Sequence, residues 1–315
     1  MSAREFEKTI DDDMIKARRS HLLFYVDVPL YIKVDKRYVL YKPSGTSLRE
    51  KLAENKLPME LYINKEDKLK GLIEAQKGFT EELKCAVKSK DPERTKKILV
   101  TLMEETLYEP RAGILGHIQE TMSVVVDEFV KDPNIMRNLI TLSQKDYSTS
   151  LHCINMIAFT LCYGKQVGFS IKDQKELALC AMLHDVGKTE IPDEILHAPR
   201  KLTDEEFEII KSHTTIGYQI LMDSDLRKYK AVPLAAFEHH ERLDGSGYPE
   251  NKRMIHDISQ ILAIIDPYEA LTNDDRPYRS AMAPFAALKL IRKEVDDGKY
   301  RMEVFENFIL SLSLS

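Results

Sequence analysis

The stretch ELALCAMLHDVGK, residues 176–188, decides how the rest of the chain reads. Its spacing predicts an amphipathic helix that delivers His184 and Asp185 side by side at its last turn. Leu177, Cys180, Ala181 and His184 share one apolar stripe. Ser170 supplies an N-cap with Asp173 three residues on, and Gly187 a stop. Asp185 lies roughly 100° round the helix from His184. The pair could grip one metal ion or two neighbouring ones, with Lys188 one short turn beyond. A single His-Asp pair is weak evidence, since many are helix caps or surface charges, and the residues downstream carry the decision.

His152 opens a helix on which His152, Asn155, Met156 and Phe159 share a face. Thr203 and Glu206 form a capping box for a helix with Phe207, Ile210, His213 and Gly217 along one side. A helix started by Pro233 ends in Glu238, His239, His240 and Glu241. The apolar positions Ile258, Ile261, Leu262 and Ile265 accompany one acidic residue, Asp266. A lone inward histidine is usually a hydrogen-bonded core residue, and a carboxylate on an apolar helix is often a cap or an arginine's partner. Five histidines and two aspartates on the inward faces of successive helices need another explanation. Buried, unpaired ionisable groups cost roughly several kcal/mol each, and a shared cation satisfies them together. Seven donors exceed the needs of one ion, which argues for at least two, bridged by an aspartate. Imidazole and carboxylate suit Fe, Mn, Zn or Co better than Ca or Mg alone.

Composition sets the outer limits. With 315 residues, 43% of them hydrophobic, the chain can bury a core and has room for two domains. A net charge of −5 with mixed signs gives no basic field, so DNA is not an expected partner. The N-terminus is too acidic for a secretory signal, and no apolar run approaches the ~20 residues of a membrane helix. Cys85, Cys153, Cys162 and Cys180 form no CxxC pair and read as reduced thiols. A soluble, cytoplasmic protein is the expectation.

In chain order, a charged leader reaches about residue 20. Leu30, Ile32 and Val34 alternate, Asp35-Lys36 turns, and residues 37–42 form a second strand. Pro43, Ser44 and Gly45 mark a loop, Ser47 and Glu50 a capping box for a short helix ending near Asn55, and Met59, Leu61 and Ile63 a further strand. From Lys68 the pattern is helical, punctuated at Pro92, Pro110 and Pro133. The expected division is a small β-rich regulatory module over 1–66, linker helices over 67–135, and a metal-binding helical domain over 136–315. The fold class is mainly α, a helical bundle at the C-terminus with a small β-containing N-terminal module. Linker helices of this kind would also suit homodimerisation.

The strings HDVGKTEIPDEIL, HTTIGYQIL, HHERLDGSGYP and DRPYR, in this order, resemble the HD-GYP branch of the HD-domain phosphohydrolases, over residues from about 140 to the end. The resemblance implies hydrolysis of cyclic di-GMP to linear pGpG and to GMP. It implies a metal set of His152, His184, Asp185, His213, His239, His240 and Asp266, with Asp185 bridging two divalent ions, typically iron or manganese. Lys188 would lie near the scissile phosphate and, with Asp185, serve catalysis. Gly245, Gly247, Tyr248 and Pro249 would form the signature loop. Arg242, Arg276 and Arg279 could hold phosphate or guanine, or sit in surface ion pairs beside Asp274 and Asp275. Two such cations would acidify a shared water to attack phosphorus and neutralise the charge that develops.

Several positions depart from the pattern. Ser148 stands where some members carry a glutamate for a third ion, so two ions are expected. The glycine-rich segment after Pro249 is missing, Gln260 replaces a common arginine, and Glu269 a usual aspartate. Pro267 directly follows Asp266, where it would remove a helix hydrogen bond. Tyr248 would line the substrate pocket or face a signalling-protein partner. Two other functions remain alongside the phosphodiesterase: a cyclic di-GMP sensor or adaptor without turnover, and a phosphohydrolase of another nucleotide.

Overall fold

The computed structural model describes residues 13–48, 57–108, 110, 115–132, 149–273 and 281–313. The capping-box helix ending near Asn55, the Pro133 junction, Ser148, Arg276 and Arg279 lie outside them.

The N-terminal part is an antiparallel sheet of β1 (Met14–Lys16), β2 (Leu30–Val34), β3 (Arg37–Lys42) and β4 (Tyr62–Asn64), in the order β1-β4-β2-β3. β2 and β3 form a hairpin with Val34 opposite Arg37, turned by Asp35 at φ 55°, a conformation that a short polar side chain tolerates. β1 lies inside the segment read as a charged leader, and the structure corrects that reading. Three residues are too few for alternation to show, and pairing of Met14 to Asn64 and Lys16 to Tyr62 makes the strand. Met59, expected in a strand, is instead 88% exposed, and β4 begins only at Tyr62.

The helices are α1 (Lys68–Lys88), α2 (Pro92–Tyr108), α3 (Leu115–Lys131), α4 (Thr149–Gln166), α5 (Ile171–Leu183), α6 (Asp193–Leu196), α7 (Asp204–Lys211), α8 (His213–Met222), α9 (Ala231–Glu238), α10 (Asp257–Thr272), α11 (Pro284–Asp296) and α12 (Met302–Ser311). The α4–α5 hairpin is the hub: α5 packs against α3 and α9, and α10 packs against α4 and α9. Residues Ser150 to Gly164 of α4 and Leu177 to Leu183 of α5 are buried on every side. The stripe expected on α5 is therefore a fully wrapped cylinder. Each Leu or Met so enclosed stabilises the fold by about 1.5–3 kcal/mol, so packing rather than helix propensity fixes the residues that follow α5. One hydrophobic cluster runs from Ala17 through α1, α2 and α3 to Phe308. No described helix is long and apolar enough to cross a membrane.

Candidate metal centre

α5 begins as its sequence implies: Ser170 Oγ accepts from the Asp173 amide at 3.2 Å. It ends at Leu183, with His184 as C-cap, and the chain tightens into a 3-10 turn over Val186–Glu190. Gly187 is not a left-handed stop. It lies inside that turn, pressed on α8, where a Cβ would overlap the His213 carbonyl oxygen and come within 2.6 Å of Gly217 N. The glycine lets the His184–Asp185 corner and the start of α8 approach closely. The helix expected through Phe207 and His213 is two helices, α7 and α8, meeting at Ser212. Phe207 is largely exposed, whereas His213 heads α8 and is buried. The Thr203–Glu206 capping box on α7 is present. His239 is the C-cap of α9, and α10 runs unbroken through Pro267.

Hydrogen bonds on the outer ring nitrogens settle most tautomers. His184 Nδ1 donates to Ala181 O at 2.8 Å, and His213 Nδ1 to Ile210 O at 2.7 Å. His239 Nδ1 faces the carbonyls of Ala235 and Ala236, both at 3.0 Å. His152 Nδ1 meets Glu269 Oε2 at 2.5 Å. Carbonyls and carboxylates only accept, so each Nδ1 carries the proton and each neutral imidazole turns a bare Nε2 lone pair inward. These lone pairs face one another: His152 Nε2 is 3.3 Å from His184 Nε2, and His213 Nε2 is 3.3 Å from His239 Nε2. Two bare nitrogens at that distance repel unless a proton or a cation lies between them.

Asp185 stands between the two pairs. Its Oδ2 is 3.3 Å from His184 Nε2 and 3.7 Å from His152 Nε2. Its Oδ1 is 3.4 Å from His213 Nε2 and 3.8 Å from His239 Nε2. Oδ1 is buried and hydrogen-bonded to no described residue. Asp266 Oδ1 completes the first pair at 3.5 Å from His152 Nε2. His152, His184 and Asp266 form one group with donor atoms within 4.8 Å of each other, His213, His239 and His240 a second, and His184, Asp185 and His239 a third across the middle. An orphaned buried carboxylate oxygen and paired bare imidazole nitrogens are what a cation would satisfy. The donor set fits two divalent ions sharing Asp185.

Electrostatics favour deprotonated donors at Asp185 and on the His213, His239 and His240 side. Burial alone would raise the Asp185 carboxyl, but Lys188, His184 and His213 outweigh it and hold it well below the usual range. Burial, reinforced by neighbouring imidazoles, pushes His239 and His240 well below the ordinary histidine value, and His213 also goes down. A shared proton therefore does not satisfy the His213–His239 pair. Burial lowers His184 too, yet Asp185 reverses this and leaves it raised. Since the unfolded chain takes up protons at depressed imidazoles before the folded one does, stability from His213, His239 and His240 is present above their ordinary value near 6.5 and lost as pH falls below it. His184 has the opposite sign and offsets part of this. The thermal midpoint of the metal-free chain should therefore drop between pH 7.5 and 5.5, and His240→Asn should shrink the drop.

The remaining sequence candidates sit around this core. Lys188 Nζ is 2.5 Å from Asp185 Oδ2, at the rim. Gly245 turns the loop at φ +81°. Gly247 is pressed on the chain before it, where a Cβ would lie 2.5 Å from both Glu241 Cα and His240 O. Tyr248 stacks on the His240 ring, centroids 4.7 Å apart and planes at 28°. Pro249 joins Tyr248, Phe207 and Lys211 in lining a cavity of about 630 Å³ beside the loop. Arg242 does not reach freely outward: its Nη1 donates to Glu241 O at 2.8 Å and lies 3.3 Å from His239 O, and its guanidinium covers Tyr300. It does line a second cavity, of about 780 Å³, with Pro267 and Lys299.

Sequence reasoning gave no role to the groups that hold this machinery. Glu269 anchors His152, and Asn155 and Asn273 anchor Glu269. Buried Glu241 accepts from the amides of Glu250 at 2.7 Å and Lys252 at 2.9 Å, fixing the loop after Tyr248. Glu269 stands where the resembled pattern has an aspartate, and an acidic residue at that position was its signal.

The HD domain family matches residues 134–304. The chain is 30% identical over 203 residues to a cyclic di-GMP phosphodiesterase of Pseudomonas aeruginosa, covering 63% of this chain and 48% of that protein. It is 35% identical over 184 residues to 3'3'-cGAMP-specific phosphodiesterase 1 of Vibrio cholerae, covering 58% and 41%. It is 41% identical over 149 residues to a cyclic di-GMP phosphodiesterase of Thermotoga maritima, covering 46% and 40%. The matches thus span less than half of each relative's length. Among solved structures, Bd1817, a HDG"Y"P protein from Bdellovibrio bacteriovorus, shares the fold at a TM-score of 0.60 and 17% identity, over 96% of this chain and 100% of that one. With the family match over 134–304 and its HD pair at 184–185, the chain belongs to the HD domain family.

Proposed function

We propose that the chain is a metal-dependent phosphodiesterase that opens a 3′–5′ phosphodiester bond of cyclic di-GMP, giving linear pGpG and, after a second cut, GMP. The observation that carries this reading is Asp185, which offers one oxygen to each of two facing sets of bare imidazole nitrogens. Two divalent cations held there, iron or manganese as the HD-GYP resemblance implies, would supply an acidified water and neutralise phosphate charge. His152, His184 and Asp266 would hold one ion, His213, His239 and His240 the other, with Asp185 common to both. Lys188 would bind a phosphate oxygen or give a proton to the leaving 3′-oxygen, a role that its position beside Asp185 supports. The stacked Tyr248 and the Gly247 contact hold His240 against the cluster from the loop side. Residues 1–66 would act as a regulatory module, residues 67–135 as connecting helices, and 136–315 as the catalytic part.

A second reading concerns the bases. The Vibrio cholerae relative is named for 3'3'-cGAMP, and the two-cation chemistry acts on phosphate without reading purines. Metal-loaded protein assayed with cyclic di-GMP, 3'3'-cGAMP and bis(p-nitrophenyl) phosphate separates these outcomes. The proposal expects cyclic di-GMP to be cleaved with the highest kcat/KM; preference for 3'3'-cGAMP would reassign the substrate, and cleavage of the simple ester alone would remove cyclic dinucleotides from the account.

A further inference from the structure

The two halves of the centre are backed unequally. Behind His152 stands a full carboxylate: Glu269, 1% exposed, meets Nδ1 through Oε2. Its Oε1 accepts from Asn155 Nδ2 at 2.8 Å and from Asn273 Nδ2 at 2.9 Å, so the carboxylate is locked in place from α4 and from the end of α10. Behind His184, His213 and His239 the described residues offer only neutral carbonyls. His240 rests on the face of Tyr248, and no described residue accepts from its Nδ1. The acidic groups follow the same division. Asp266 joins His152 and His184, while among the described residues the His213, His239 and His240 side has only the shared Asp185.

We propose that Glu269 is a positioning residue that makes the His152–His184–Asp266 side the tighter metal position, filled before the His213–His239–His240 side. This rests on the two-metal reading above. A carboxylate behind an imidazole fixes the ring and raises its basicity as a ligand more than a carbonyl does. Asp266 on the inner side of His152 and Glu269 behind it also give this side two carboxylates beyond the shared Asp185, and in a buried site their attraction for a cation would be strong. The other side offers three imidazole rings, one of them stacked on Tyr248.

The test is a titration of metal-free, full-length protein with Mn(II) under nitrogen, followed by calorimetry and electron paramagnetic resonance. The wild type should bind its first equivalent at least about tenfold more tightly than its second, in keeping with the effect of outer carboxylates on metal affinity. The first equivalent should give the spectrum of an isolated ion, and spin coupling should appear only with the second. Glu269→Gln should weaken the first event by about 10–100-fold, and Glu269→Asp should recover part of the loss. His240→Asn should weaken the second event and leave the first unchanged. Where Glu269→Gln does not fold by circular dichroism, Asn155→Ala takes its place, since it keeps the carboxylate but removes one anchor, and should weaken the first event less. Equal wild-type affinities, unchanged first-event affinity in the Glu269 and Asn155 variants, or a first event weakened by His240→Asn would each overturn the inference. Ordered binding without cleavage of any cyclic dinucleotide would leave it standing and remove the phosphodiesterase reading instead.

Discussion

Asp185→Ala should lower cyclic dinucleotide hydrolysis by more than about a thousandfold and reduce bound metal from two ions per chain to one or fewer. Removing one preorganised electrostatic contact from an active site typically costs about 10²–10³ in rate, and this side chain is proposed to serve both ions at once. Its two oxygens lie 3.3 and 3.4 Å from imidazoles of opposite groups, and no other described carboxylate approaches both. Asp185→Asn is the sharper companion: it keeps the shape and removes the charge, and should lose metal almost as completely. Because Asp185 ends a corner held by packing of α5, both variants should fold with helical content unchanged by circular dichroism. Metal counting on the folded variants checks the prediction, and full activity in either would sink the assigned role.

Gly187→Ala should do comparable damage by a different route. A Cβ at that position overlaps the His213 carbonyl oxygen and crowds Gly217 N, both backbone atoms that cannot rotate aside. The 3-10 turn and α8 must then separate. Overpacking of this kind costs typically about 1–3 kcal/mol, occasionally more, and here the displaced atoms belong to a candidate ligand. The expected result is a clearly lowered thermal midpoint together with preferential loss of the ion on the His213 side. An alanine variant with wild-type stability and two bound ions would show that the contact is not needed.

The site was legible in the sequence because chemistry-bearing residue types recur there at helical spacing. The His-Asp pair, the paired His239-His240 and the isolated Asp266 on an apolar helix stood out from residue type alone, and the structure brings each into a group of three donors within 4.8 Å of one another. What supports them was not legible. Glu269 meets His152 across 117 residues of sequence, and nothing in local spacing announces a contact that only the packing of α10 on α4 creates. Gly187 read as a helix stop because stopping helices is what glycine most often does after a helix; its actual use, a close backbone approach to α8, depends on the tertiary fold. β1 escaped for a related reason, since a three-residue strand owes its existence to the partner β4 rather than to its own pattern. Pro267 was legible: it lies inside α10, where its missing N–H leaves one helix hydrogen bond unmade.

The most direct test of the central claim is to purify the chain anaerobically, supply Fe(II) or Mn(II), count metal per chain, and follow cyclic di-GMP by chromatography in the same sample. About two ions per chain with pGpG or GMP appearing is the predicted result. A chain that binds no metal, or that carries both ions and leaves the dinucleotide intact, would contradict it.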